Sequence, residues 1–253
     1  MIDTHCHLFL MEGEPREVVG AARDSGVEAL ICVGVDRESS RRSRELADAL
    51  AGVFATAGVH PHDADKFDDA AGSEIEELLS DPRVVAVGET GLDHFRMRSP
   101  KEDQERAFRA HCSLARELDK PVVVHTRDAW PDVMRILSEE RLERVVLHCF
   151  SGGEEEAREA ARRGYHCSFA GPITYPKNVH LRAAAAAVPD ALLLVETDSP
   201  FLPPQARRGE SNHPSNVGLN IEGLAEARGQ GGAEVAAATA ANARSVFGLP
   251  SAR

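Results

Sequence analysis

Eight short runs of apolar, largely β-branched residues recur along this chain, at residues 2–5, 29–34, 54–59, 84–89, 122–125, 145–149, 166–170 and 192–196. No other feature constrains the fold as strongly. Runs that are nearly continuously apolar, rather than alternating, read as strands covered on both faces. Between them, residues 15–24, 37–50, 73–79, 101–118, 130–139, 154–163 and 179–188 have helical spacing or composition, and Ser99-Pro100 is a suitable start for the long fourth helix. Strand–helix alternation repeated eight times predicts an α/β fold, a parallel sheet closed into a (β/α)8 TIM barrel. Two C-terminal helices, over 217–228 and 233–246, follow it. A doubly wound open sheet is the alternative, because periodicity does not report closure. No linker, repeat or low-complexity tract interrupts the 253 residues, so one domain over 1–253 is expected.

The composition bounds the function. Hydrophobic residues make up 42% of the chain, enough for a sizeable core, while aromatics at 5% and runs such as Ala183 to Ala187 suggest helices packed through small residues. With 29 basic and 41 acidic residues the net charge is -12, so no global field draws in nucleic acid or an anionic membrane. A nucleic-acid enzyme of this composition must rely on bound cations and a local set of arginines. Five cysteines without a CxxC pair, several inside apolar runs, suggest reduced, buried thiols. No stretch approaches the ~20 apolar residues of a spanning helix, and no secretory leader is recognisable. A soluble, cytoplasmic protein without membrane contact, monomeric in the simplest case, is the expectation.

Barrel active sites form where the C-terminal ends of different strands converge. Read in that order, strand one ends in His5 and His7, strand three in His60 and His62, strand four in Glu89, strand five in His125, strand six in His148 and strand eight in Asp198. In an extended strand His5 and His7 project to one side, with Cys6 between them turned away. Singly, each of these residues has an ordinary explanation: a capped histidine, or an aspartate closing the turn at Ser199-Pro200. Together they form a set of metal-compatible ligands.

Three or four histidines with two carboxylates exceed the four ligands of a closed structural zinc site, and suit two divalent ions sharing a bridge. The expected division has His5, His7, Glu89 and Asp198 around one ion and Glu89, His125 and His148 around the other. Glu89 is then the bridge, and Asp198 accepts a proton from the attacking water, so these two are the expected catalytic carboxylates. Mixed nitrogen and oxygen ligation suits zinc, manganese or nickel better than the all-oxygen cage that magnesium favours, although magnesium stays among the candidates.

These stretches resemble the TatD family of metal-dependent deoxyribonucleases, within the amidohydrolase-like barrels. The matching segments are Asp3-Thr-His-Cys-His7, Gly58-Val-His-Pro-His62, Gly88-Glu-Thr-Gly-Leu-Asp93, Pro121-Val-Val-Val-His-Thr-Arg-Asp-Ala129, His148-Cys-Phe-Ser-Gly152 and Glu196-Thr-Asp-Ser-Pro200. They occur in family order, and residues 242–247 fit as well. The resemblance implies a barrel that hydrolyses phosphodiester bonds in DNA by a two-metal-activated hydroxide, with 3′–5′ exonuclease character. It implies metal ligation by His5, His7, Glu89, His125, His148 and Asp198. It also implies that His60 and His62 lie near the substrate phosphate, with Asp93 in the site. Arg127 is either a phosphate contact, since a guanidinium can bind two phosphate oxygens at once, or part of a surface salt bridge. In the loop after strand eight, Arg207, Arg208 and Asn212 are further candidate phosphate contacts. Glu210 and Ser211 stand there where resembling proteins commonly carry basic residues, which reduces positive charge at the expected mouth.

Two other readings remain open at this level. The same metal centre could hydrolyse a small amide, lactone or phosphoester, because related barrels reuse one site for many substrates. No strand ends in a lysine that could serve as a carbamylated bridge, and Glu89 takes that place. A purely structural metal is the third reading, which predicts that chelation unfolds the chain.

Overall fold

The computed structural model describes residues 1–250. Eight parallel strands lie in sequential order: β1 (Ile2–Cys6), β2 (Ala29–Val33), β3 (Val53–Ala57), β4 (Val84–Asp93), β5 (Val122–Arg127), β6 (Val145–Leu147), β7 (His166–Phe169) and β8 (Leu193–Val195). Seven helices connect them: α1 (Pro15–Asp24), α2 (Arg37–Ala49), α3 (Asp69–Leu79), α4 (Lys101–Glu117), α5 (Trp130–Glu139), α6 (Glu154–Arg162) and α7 (Val179–Ala187). Helices α8 (Val217–Arg228) and α9 (Gly232–Phe247) close the chain. Two boundaries differ from the sequence reading for identifiable reasons. Helix α3 starts four residues earlier, because the Asp68 carboxylate caps it by accepting the Ala71 N–H at 2.8 Å. Strand β4 runs four residues beyond the expected end at Glu89, through Gly91 to Asp93.

Strand residues alternate between two apolar layers. Ile2, Ile31, Val33, Val85, Val123, Val146 and Leu194 fill the inside of the sheet, where Val246, Phe247 and Leu249 of the chain's last helix and its exit pack against them. Residues such as Val84, Val122, Val124, Val145, Leu147 and Val195 belong instead to the layer packed beneath the helices. This period-two alternation, buried on both faces, is why the strands read as unbroken apolar runs.

The sheet closes between β1 and the segment following β8, and closure excludes the open-sheet alternative. Cys6 forms a parallel bridge with Ser199. The Asp198 N–H donates to the His5 carbonyl and the His7 N–H to the Ser199 carbonyl, both at 2.8 Å. The buried Asp3 carboxylate accepts the Thr197 N–H at 2.8 Å and the Thr197 hydroxyl at 2.6 Å. The seam thereby sets the two histidines of the first strand beside the aspartate that follows the last. No helix among the described residues is long and apolar enough to cross a membrane.

Candidate active site

Glu89 lies at the centre of the C-terminal mouth and is almost fully buried. Its Oε1 is 2.9 Å from His125 Nδ1, 3.1 Å from His148 Nε2 and 3.4 Å from His60 Nε2. Its Oε2 is 3.3 Å from His5 Nε2. One carboxylate thus faces two groups of imidazoles. Asp198 completes the second group, with Oδ1 3.5 Å from His7 Nε2 and 3.8 Å from His5 Nε2. The ring of His5 stacks on that of His148 at 3.8 Å between centroids.

Close contacts hold these rings in defined tautomers. His7 donates from Nδ1 to the Val33 carbonyl at 2.9 Å, and His148 from Nδ1 to Glu196 Oε1 at 3.0 Å. In their neutral forms both therefore present an unprotonated Nε2 to the carboxylates. A second hydrogen bond of this kind, from the far ring nitrogen to a carbonyl or carboxylate, is the usual support of a metal-binding histidine. Glu196, fully buried, also accepts the Cys149 N–H at 2.8 Å. His60 has the opposite arrangement. Its Nδ1 accepts the His62 N–H at 3.1 Å, so its proton sits on Nε2, which suits donation to an oxygen better than binding a cation.

The electrostatics are those of a site lacking positive charge. Burial alone would raise the Glu89 carboxyl, but the charges of His148 and His60 and the hydrogen bonds from His125 and His148 hold it well below the carboxylate range. Asp198 is depressed in the same way, burial being outweighed by His7, His148 and His5. Burial opposes protonation of His148 too, yet Glu89 and Glu196 raise it well above the usual histidine value. His5 is lowered by burial and by neighbouring His148. The His5 side chain is wholly inaccessible, and neither of its ring nitrogens has a hydrogen-bond partner. An unpartnered imidazole buried between two carboxylates is costly unless a cation fills the gap. The donor set therefore fits divalent metal. Three groups bring ligand atoms close enough to share an ion: His5, His7 and Glu89; His5, His148 and Asp198; and His60, Glu89 and His125, the last disfavoured by the proton on His60 Nε2.

The remaining sequence candidates fall into two classes. Asp93 and His62 join the cluster: Asp93 Oδ2 accepts from His62 Nε2 at 2.8 Å and lies 3.4 Å from His125 Nε2. Asp93 Oδ1 accepts the N–H groups of Phe95 and Arg96, so this carboxylate also pins the loop that follows β4. The candidate arginines are engaged by aromatic rings. The Arg127 guanidinium stacks over Phe95, 4.1 Å from the ring centroid, and Arg208 stacks over Tyr175 at 4.8 Å. Arg127 makes no salt bridge among the described residues, which removes that reading of it. Asn212 is buried, and its amide donates to the Thr197 and Phe201 carbonyls at 2.8 Å each. It braces the loop and is not free to contact phosphate, a correction to the sequence reading. Glu210 Oε2 lies 3.7 Å from Arg207, so its charge is partly matched within the loop.

Arg96 and Arg98, which strand-end reasoning did not select, line the mouth together with His7, Glu89, His148, Asp198 and Phe201. Among the described residues neither arginine is paired with a carboxylate. The only signal for them in the sequence was their place just after the Gly-Leu-Asp motif. The cavity measures about 430 Å³, within the range of small-ligand sites of ~300–1,000 Å³. A larger cleft of about 630 Å³ beside Ala29, Phe54 and Leu249 lies at the opposite end of the strands and holds none of these ligands.

The chain matches the model of the family described as TatD related DNase over residues 2–248. It is 37% identical to the Bacillus subtilis protein called uncharacterized metal-dependent hydrolase YabD, over 98% of each chain. It is 36% identical to the 3′-5′ ssDNA/RNA exonuclease TatD of Escherichia coli K12, over 92% of each. The crystal structure of the TatD homolog YJJV from Escherichia coli K12 superposes with a TM-score of 0.94 at 31% identity, covering 99% of this chain and 98% of that one. With the strand order, the closed seam and the histidine–carboxylate cluster in agreement, the chain belongs to the TatD related DNase family and is a metal-dependent hydrolase.

Proposed function

We propose that the protein is a phosphodiesterase that removes nucleotides from the 3′ end of a single-stranded nucleic acid, using two divalent ions. The observation that carries this reading is Glu89, buried with one oxygen toward His125 and His148 and the other toward His5. In this reading His5, His7, Glu89 and Asp198 hold one ion, and Glu89, His125 and His148 hold the other. Bound there, divalent ions supply a Lewis-acidic charge for the phosphoryl oxygens and lower the pKa of water. Asp198, kept ionised by its histidines, is placed to take a proton. His60 offers an N–H from Nε2 toward the scissile group, and His62, fixed by Asp93, stands beside it. Arg96 and Arg98 offer unpaired guanidinium groups to the phosphates, by charge and by paired hydrogen bonds. The substrate class also rests on the exonuclease relatives, which are named for single-stranded DNA and RNA.

The net charge of -12 favours a second reading, a small phosphoester, lactone or amide as substrate. One experiment separates the two. Oligonucleotides labelled at the 5′ end are incubated with the protein in zinc, manganese, nickel or magnesium, beside a panel of small esters and amides. The proposal expects a ladder shortening from the 3′ end that chelation stops, and that Glu89→Ala and Asp198→Ala abolish without unfolding the chain. Turnover of a small substrate with no oligonucleotide shortening in any metal would replace it with the second reading.

A further inference from the structure

Large apolar side chains left exposed at the mouth are the least explained feature of the site. Phe201 is 51% and Leu10 49% exposed, and both line the cavity that holds Glu89 and Asp198. Phe201 is held firmly despite its exposure. Its N–H donates to the Asp198 carbonyl at 2.8 Å, its own carbonyl accepts the Asn212 amide at 2.8 Å, and its ring meets His7 edge-on at 5.9 Å. Phe95 is exposed as well, but one of its faces is taken by Arg127.

We propose that Phe201, flanked by Leu10, is the platform on which the terminal base of the nucleic-acid end stacks while Arg96 and Arg98 hold the phosphates. The inference rests on the phosphodiesterase reading above and assigns the residue that selects an unpaired base. An aromatic face and free guanidinium groups lining one cavity match the two halves of a nucleotide, a flat apolar base and an anionic phosphate. The backbone of Phe201 is tied at both its N–H and its carbonyl, so its position is set before substrate arrives, and covering the ring costs side-chain rotation but no ordering of the loop. A terminal base in a duplex has one face stacked on its neighbour and its edge paired to the opposite strand, so it must separate from that strand to enter the cavity beside this ring. Stacking of this kind tolerates every base, so the platform selects for strandedness and not for sequence.

The test crosses the ring with the base. Wild type, Phe201→Ala, Phe201→Leu and Phe201→Trp, each loaded with metal, are assayed on a single strand with an ordinary 3′ terminal nucleotide and on the same strand ending in an abasic one. Binding is read separately from the quenching of a 3′ terminal 2-aminopurine in a phosphorothioate-blocked strand. Removing the ring is expected to lower kcat/KM on the base-bearing end by about 5- to 150-fold, chiefly through KM, the range for stacking one base on an aromatic ring. Removing the base from wild type gives a similar loss, and the two losses do not add. Quenching is expected with wild type and Phe201→Trp, and to be lost in Phe201→Leu, which keeps apolar bulk without an aromatic face. Equal losses on both ends, additive losses, or undiminished quenching in Phe201→Leu would overturn the assignment of the ring while leaving the phosphodiesterase reading intact. Failure of wild type to shorten any strand would overturn both.

Discussion

Replacing Glu196 by glutamine separates support of the metal site from stability of the fold. Glu196 Oε1 accepts from His148 Nδ1 at 3.0 Å and from the Cys149 N–H at 2.8 Å, while its Oε2 is buried without a partner. The backbone N–H of Cys149 keeps an amide oxygen in the same place, so Glu196→Gln preserves the His148 tautomer, removes the negative charge behind it and puts an NH2 group where the unpartnered Oε2 was. Loss of such a partner lowers metal affinity or activity by about 10- to 100-fold, equivalent to about 1.4–2.7 kcal/mol. Stability should change by less than in Glu196→Ala, because both donors keep an acceptor and an unpartnered NH2 group replaces an unpartnered carboxylate oxygen. Glu196→Ala differs: it strands two donors at about 1–3 kcal/mol each, or about 2–6 kcal/mol in all. Competition between protein and a chromogenic chelator reads metal affinity, and urea unfolding of the metal-free chain reads stability. Wild-type metal affinity in Glu196→Gln would refute the claim that Glu196 tunes His148. Equal stability losses in the two variants would refute the account of the donors.

Three further outcomes follow from the geometry. Asn212→Ala removes the donor to the Thr197 and Phe201 carbonyls and the acceptor of the His213 N–H; it should cost about 2–4 kcal/mol and open residues 201–216 to limited proteolysis, and unchanged protease resistance would contradict it. Gly91→Ala should cost about 3 kcal/mol or more, read from the urea midpoint, because at φ +133° its Cβ would lie 2.1 Å from the His125 carbonyl oxygen. His111 is buried, donates from Nδ1 to the Ala107 carbonyl and accepts the Val59 N–H, and burial pushes its pKa down from 6.5 to about 4. The unfolded chain therefore binds this proton first, and its contribution is a loss of stability that grows as pH falls from 6.5 to about 4, reaching about 3 kcal/mol. His111→Gln, whose amide oxygen can still accept from Val59, should shed that acid sensitivity; urea unfolding at pH 7.5 and 4.5 that gives the same stability difference from wild type at both would contradict it.

The barrel was legible because its strands are covered on both faces, so each appears as an apolar run of nearly the right length. The ligand cluster was legible because parallel strands bring their C-terminal ends to one face, whatever lies between them in sequence. Strand β4 was cut short at Glu89 in the sequence reading because the apolar run ends there, whereas Gly88 and Gly91 serve close approach to β5: an added Cβ would lie 2.5 Å from the Val123 oxygen and 2.1 Å from that of His125. Hydrogen-bond direction was not legible at all. That Glu196 backs His148, or that His60 holds its proton on Nε2, depends on which backbone groups the fold brings within reach. The loops were least legible. Asn212, which looked like a phosphate contact, is buried as a brace, while Arg96 and Arg98, which the strand-end pattern does not reach, line the mouth.

Metal stoichiometry is the most direct test of a two-ion centre bridged by Glu89. Wild type and Glu89→Ala, both shown to be folded, are brought to equilibrium by dialysis against manganese or zinc, and bound metal is counted by elemental mass spectrometry. Two equivalents per chain are expected in wild type and fewer than one in Glu89→Ala, because both ions would share that carboxylate. A single equivalent in wild type, or two retained without Glu89, would contradict it.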